Sequence, residues 1–238
     1  MVSKVFCCAF LAFGFVQSSV IPVDKCKLED SACLITAFNT MIPIYMSGMS
    51  DENVEVLDPM KMDDLEFDLA GLQFTLKEAT MKGMKTSVVD KIDWDTKKKV
   101  INVDYHLDVT VKGHYTANGR ILILPITGDG QSKLKLKNLA MKLHIHYDMV
   151  KDSNGKDHVK PKKYTFEFEV KDNAHYHLTN LFNGNKELSD GMLVFLNDNW
   201  KQVATEFGGP MIDNASKKLF DNIVKFFEAI PIGDIADV

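Results

Sequence analysis

The chain has 238 residues, 45% of them apolar and 26% charged, with a formal net charge of −5. That composition suits a globular protein with a substantial core, in one large domain or two small ones. The mild acidity, with lysines spread along the chain and not gathered into one basic block, gives no reason to propose nucleic-acid binding.

The N-terminus is basic at Lys4, then apolar over the 12 residues VFCCAFLAFGFV at 5–16, then small and polar at QSS. This order predicts a secretory signal peptide, too short to span a bilayer, cleaved after Ser18 with Val16 and Ser18 flanking the site. Residues 19–238 would then be the mature domain, and no later stretch is long and apolar enough for a transmembrane helix. Cleavage removes Lys4 and no acidic residue, which takes the net charge from −5 to −6. It also removes Cys7 and Cys8, leaving Cys26 and Cys33 to pair in an oxidising compartment. The small loop they close contributes about 2 kcal/mol of chain entropy. Its expected work is to tie the first helix to the segment before it.

Leu34, Ile35, Phe38, Ile42 and Tyr45 recur at helical spacing, so residues 30–46 read as an amphipathic helix, with Pro43 near its end. The period then becomes two. In DLEFDLAGLQFTLK the apolar set shifts at Ala70-Gly71, which predicts a bulge or bend. Ile101, Val103, Tyr105, Leu107, Val109 and Val111 alternate strictly with polar residues. RILILPI reads as a dense apolar strand ending in a turn at TGDG. In KLKLKNLAMKLHIHYDMV the phase slips again, at Asn138. DSNGKD is a hairpin turn, and after it Tyr164, Phe166, Phe168 and Val170 share a face. Long, bulged, antiparallel strands with one apolar face make a strongly curved sheet. They do not alternate with helices, so a parallel βαβ fold is disfavoured.

From about Lys186 to Ala229 the apolar spacing is helical for roughly forty residues, about 60 Å of helix, with a break expected at FGGP, 207–210. A curved sheet with one apolar face and a very long helix with a matching stripe fit each other. The expected architecture is α+β, with the helix inside the curl.

No G-x-S-x-G, HExxH, P-loop or GxGxxG motif is present. The HIH pair (His144, His146) and the HYH pair (His175, His177) each share a strand face, but the first shares it with Lys142 and Asp148 and reads as solvated. No metal, cofactor or catalytic residue is assigned. Asn214-Ala215-Ser216 is a glycosylation sequon, and Asn214 lies about 200° around the helix from Ile212, which predicts a solvent-facing side chain.

Three features together resemble the takeout and juvenile-hormone-binding-protein family of secreted insect proteins. They are the early pair Cys26 and Cys33, the stretch ANGRILILPITGDG at 117–130, and LFNGNKELSDGMLVFLNDNW at 181–200 leading into the C-terminal helix. The tail AIPIGDI also looks like the family's. The resemblance implies the tubular lipid-binding (TULIP) architecture, a long helix wrapped by a highly curved antiparallel sheet, with a tunnel or end pocket and no catalysis. Hormone carriers proper have a second disulfide in the C-terminal half. This chain has no cysteine after Cys33, so it looks more like the takeout branch.

The expected function is a secreted, monomeric carrier of a small hydrophobic ligand, a juvenile-hormone-like terpenoid, a fatty acid or a related lipid. The expected lining is Phe38, Ile42, Tyr45, Val103, Tyr105, Leu107, Phe195, Trp200, Val203 and Phe207, with Tyr45 and Tyr105 available to hydrogen-bond a polar ligand end. The rival readings are a membrane-surface protein that extracts lipid and a secreted signal recognised by a receptor.

Overall fold

The computed structural model describes residues 23–237, so the expected signal peptide lies outside the described residues. Strand β1 (Cys26–Lys27) turns into helix α1 (Ser31–Tyr45). Asp30 caps α1 by accepting a hydrogen bond from the Cys33 amide at 3.0 Å. Cys26 and Cys33 form the expected disulfide, which ties β1 to the first turn of α1.

Seven strands come next: β2 (Met60–Lys61), β3 (Leu65–Leu69), β4 (Leu72–Lys82), β5 (Val88–Asp95), β6 (Val100–Ile121), β7 (Leu124–Lys151) and β8 (Asp157–Leu178). They form one antiparallel sheet in the order β2-β4-β6-β7-β8, with β3 also on β4 and β5 also on β6. The chain closes with α2 (Lys186–Asp198), α3 (Trp200–Phe207), α4 (Gly209–Ala229), α5 (Ile232–Ile235) and β9 (Ala236–Asp237), which pairs with β1. The α+β architecture of a curved antiparallel sheet around C-terminal helices is therefore as expected.

Lengths explain the shape. Strands β6, β7 and β8 have 22, 28 and 22 residues, roughly 70–90 Å of extended chain. The helical run 186–229 is only about 65 Å long. Strands longer than their helical partner must coil around it. Helices α2, α3 and α4 run along β8, and α4 also reaches β3 at the opposite margin of the sheet. The helical run thus closes the roll.

Bending needs the strands to step out of phase. The pairing of β6 with β7 shifts between Leu107 and Val109, and that of β7 with β8 shifts between Lys137 and Leu139. Both shifts meet at Asn138, which has φ +50°. Its amide donates to Asp108 Oδ1 at 2.8 Å on β6, and its Nδ2 donates to Asp172 Oδ1 at 3.2 Å on β8. One asparagine therefore joins three strands at the level of the bend. The phase slip expected at Asn138 is a real bulge.

Two edge strands are covered by asparagines on helices. Asn39 of α1 accepts from Val89 N at 2.8 Å and donates to Val89 O at 3.2 Å. Asn197 of α2 does the same to Tyr176, at 2.8 and 3.0 Å. Each amide stands in for a neighbouring strand and satisfies an otherwise open edge.

Three expectations are corrected. Ala70 and Gly71, with φ +51° and +85°, are the turn of the β3–β4 hairpin, not a bulge within a strand. The bulge of β4 lies further on, between Lys77 and Thr80. The turn after RILILPI is not TGDG: the chain reverses at Leu122-Ile123, and TGDG lies inside β7. Gly128 and Gly130 there serve close approach, because a Cβ on Gly128 would meet Tyr115 Oη at 2.5 Å and one on Gly130 would meet Thr179 O at 2.5 Å. The long helix breaks at Gly208 as expected, but also at Asn199, and so is three segments.

Asn138→Ala keeps the backbone bond to Asp108, removes the side-chain bond to Asp172 on β8, and leaves a β-carbon without a polar partner in the left-handed region. It should destabilise the protein by about 1–3 kcal/mol in urea unfolding. Asn138→Gly keeps the backbone geometry, loses only the side-chain bond, and should fall between the unmodified chain and Asn138→Ala.

Candidate functional site

The sheet's inner face and the helices do not fill the roll completely. A cavity of about 200 Å³ lies at the end built by α1, β5, the start of β6, the end of α4, α5 and the termini. Its walls are Phe38, Met41, Ile42 and Tyr45 of α1; Val89 and Trp94 of β5; Ile101, Val103 and Tyr105 of β6; Leu143 and Ile145 of β7; and Leu219, Ile223, Phe226 and Phe227 of α4. Val23, Cys26, Leu28, Ile232, Ile235 and Ala236 close it, so the β1–β9 pair forms part of its wall. Among the described residues, no Lys, Arg, Asp, Glu or His side chain lines it.

A second cavity of about 100 Å³ lies toward the β3–β4 and β6–β7 hairpins, among Phe67, Phe74, Ile121, Leu136, Val203 and Phe207. The two have no lining residue in common. Along β6 the wall passes from Tyr105 of the first cavity, through Leu107 and Val109, to Ala117 of the second. Along α4 it passes from Leu219 through Ala215 to Ile212. A packed layer at the level of the Asn138 bulge therefore divides the roll.

Aromatic rings shape the first cavity. Tyr45 meets Phe226 edge-on at 5.7 Å, and Trp94 meets Phe227 edge-on at 6.1 Å. Trp94 Nε1 donates to Tyr147 Oη at 2.9 Å, which satisfies the indole. The Tyr45 hydroxyl is different: it is buried and has no hydrogen-bond partner. Desolvation pushes its pKa up, so it stays protonated, a donor and acceptor left open in an apolar wall. Burial pushes the pKa of the Tyr105 hydroxyl up in the same way.

Of the ten expected lining residues, Phe38, Ile42, Tyr45, Val103 and Tyr105 line the first cavity, and Val203 and Phe207 the second. Leu107 is in the dividing layer, while Phe195 and Trp200 are half-buried against the core and line neither. Sequence reading missed Trp94, Phe226, Phe227 and the terminal residues. Trp94 sits in the alternating DKIDWD, and the rings of FF end the helical stripe, so both carried a signal. The wall made by the tail AIPIGDI depends on the β1–β9 pairing, which no periodicity shows.

Asn214 is corrected: it is half-buried, its Nδ2 donates to Asp63 O at 3.1 Å, and its Oδ1 is buried without a partner. His144 and His146 stand on the outer face, where His144 Nδ1 lies 2.7 Å from Asn102 Oδ1.

A rolled sheet around helices, with an apolar chamber at one end, is the architecture of a protein that holds a small apolar molecule. The chain belongs to the haemolymph juvenile hormone binding protein family, whose model matches residues 5–237. The crystal structure of Epiphyas postvittana Takeout 1 superposes with a TM-score of 0.89 at 61% identity, over 91% of this chain and 100% of that one. The circadian clock-controlled protein daywake of Drosophila melanogaster is 28% identical over 216 residues, 86% of this chain and 82% of that protein. The juvenile hormone-binding protein of Manduca sexta is 22% identical over 177 residues, 71% of this chain and 72% of that protein.

Tyr45→Phe removes a buried polar atom that has no partner in the free protein. Its unfolding midpoint should therefore stay level or rise, the reverse of the usual cost of deleting a tyrosine hydroxyl. Calorimetry of the two proteins checks the sign.

Proposed function

We propose that the protein is a secreted carrier of a small hydrophobic ligand, bound in the cavity between α1, β5 and the end of α4. The observation that supports this most is the combination of an apolar chamber of about 200 Å³ with one buried, unpartnered hydroxyl, that of Tyr45. The ligand class is a terpenoid, fatty acid or related lipid with an apolar body and one polar end. Each buried CH₂ contributes about 0.8 kcal/mol. The polar end accepts from or donates to Tyr45, which sets orientation at small cost. The reading includes removal of residues 1–18, a mature domain of 19–238, a monomer, and no catalysis. It also includes an unoccupied sequon at Asn214, whose amide nitrogen is already engaged with Asp63.

Two properties of the chamber favour storage and release of an intact molecule. Among the described residues no carboxylate, imidazole, amine or guanidinium stands within it to attack or protonate a ligand, and the tyrosines are held neutral by burial. Affinity for an uncharged ligand should therefore stay flat from about pH 5 to pH 9. Fluorescent-lipid titrations across that range check it; a tenfold change would place an ionisable group in the site.

The direct test is mass spectrometry of lipid extracted from protein secreted by an insect host. One lipid per chain, displaceable by a fluorescent fatty acid, is expected. Ala37 of α1 also lines the chamber, so Ala37→Phe projects a ring into it and should weaken binding about tenfold or more. Ala117→Phe, in the second cavity, should leave binding nearly unchanged. Stoichiometric lipid with the sensitivities reversed would move the ligand to the second cavity.

A further inference from the structure

The lysines that are scattered in the sequence are gathered by the sheet. On β4, β6, β7 and β8 the side chains alternate between the buried inner face and the outer face. Val111, Leu136 and Ala174 point inward and are buried. Their neighbours Lys112, Lys135 and His175 therefore point outward.

Register then gathers lysines and histidines into rows across four strands. Lys112 lies directly opposite Lys133, and Lys133 directly opposite His177. In the next row Lys82 is opposite Thr110, Thr110 opposite Lys135, and Lys135 opposite His175. Lys77, opposite His114, extends the band on one side. Adjacent members of a row are about 4.8 Å apart at the backbone. Lys77, Lys82, Lys112, Lys135, His175 and His177 are exposed, and Lys133 is half-buried.

Among the described residues, none of these five lysines is in an ion pair. Elsewhere on and beside the sheet, Lys142 pairs with Glu167, and Lys171 and Lys201 pair with Glu169. Three carboxylates border the band, Asp108 and Asp172, which accept from Asn138, and Asp129, which lies 2.7 Å from His114; none of them reaches a lysine of the band. Lys112 and Lys133 are like charges directly opposite on neighbouring strands, a destabilising placement. A chain with net charge −5 has many acids to spare, yet sets none directly opposite Lys82, Lys112, Lys133 or Lys135.

We propose that the outer face of β4, β6, β7 and β8, centred on Lys112, Lys133 and Lys135, binds an extended polyanion of the sulfated-polysaccharide kind. The geometry favours this partner over a bilayer. The face is the convex side of a rolled sheet, which a flexible chain can drape across but a plane can touch only along a line. None of the exposed large apolar side chains among the described residues lies in these rows, so nothing is offered for insertion. Cations spaced along rows suit a chain that carries repeated anionic groups, and association should be steered and salt-sensitive.

The test uses the full mature chain and immobilised heparin as the probe. Retention at low ionic strength and elution by moderate salt are expected, despite the acidic net charge. The variant Lys82→Gln/Lys112→Gln/Lys135→Gln should lose affinity about tenfold or more, with its unfolding midpoint unchanged or raised. A matched control, Lys97→Gln/Lys98→Gln/Lys162→Gln, changes net charge equally on other surfaces and should remain retained. Flow-through of the unmodified chain at low salt overturns the proposal, as does equal loss in both variants. Phosphatidylserine vesicles form the second arm. Vesicle binding as strong as heparin binding and abolished by the first variant would assign the face to a membrane instead, which also overturns it.

Discussion

The roll depends on one constraint: three long strands must change direction at the same level without opening their ladders. A single bulge in one strand would leave its neighbours straight and strain the pairing. Here β6, β7 and β8 all step at one line, and Asn138 carries the step by bonding to Asp108 on one side and Asp172 on the other. Asparagine suits the position because it tolerates positive φ and brings a donor that reaches the next strand. The sheet is thereby curved enough for α4 to touch β8 and β3 at once. The same line sets the division of the interior, because side chains crowd where the sheet bends most. Leu107 and Leu139 fill that level, and cavities remain on either side of it.

A rolled sheet that does not close into a barrel has edges. This one hides them with helices, through backbone-mimicking amides. Asn39 pairs with Val89 on β5, and Asn197 pairs with Tyr176 on β8. These bonds also hold α1 and α2 at fixed heights against the sheet. The consequence for the site is direct, since Asn39 lies on the same helix as Phe38, Ile42 and Tyr45. A helix that packed by apolar contact alone could slide; one pinned by two hydrogen bonds places the Tyr45 hydroxyl at one depth. Asn222 does similar work at the far side, with Oδ1 accepting from Glu55 N at 2.8 Å while the residue is 1% exposed.

Periodicity makes much of this legible. Strict alternation from Ile101 to Val111 and the slip at Asn138 show long, bent strands, and the stripe from Lys186 to Ala229 shows their helical partner at its true limits. Misreadings fall where one residue type serves two purposes. Glycines in TGDG signal a turn by rule, but here they admit Tyr115 and Thr179 against the backbone. The actual turn is at Leu122-Ile123, two apolar residues with no turn chemistry to announce them. Asn199 ends α2 without glycine or proline nearby. The site is half legible for a related reason. Periodicity names the inward face of each strand, and Val103 and Tyr105 are inward as expected. It cannot say how far along the roll the packing fails. Leu107, Phe195 and Trp200 share the apolar stripes and yet line neither cavity.

The orphan hydroxyl of Tyr45 and the unpaired lysines of the outer face yield to the same reasoning at opposite dielectric limits. A buried polar atom without a partner costs free energy because water has been removed and nothing replaces it. An exposed lysine costs little by itself, and only its placement opposite another cation is unfavourable. The first is therefore the more specific pointer, since a phenylalanine at position 45 would leave no buried polar atom unpartnered. The second is weaker for each residue and gains its force from register, which sets Lys112 opposite Lys133 and leaves no acid directly opposite any lysine of the band. The inner site should discriminate among ligands by whether they complete one hydrogen bond in an apolar chamber. The outer face should discriminate by charge density and hardly at all by shape.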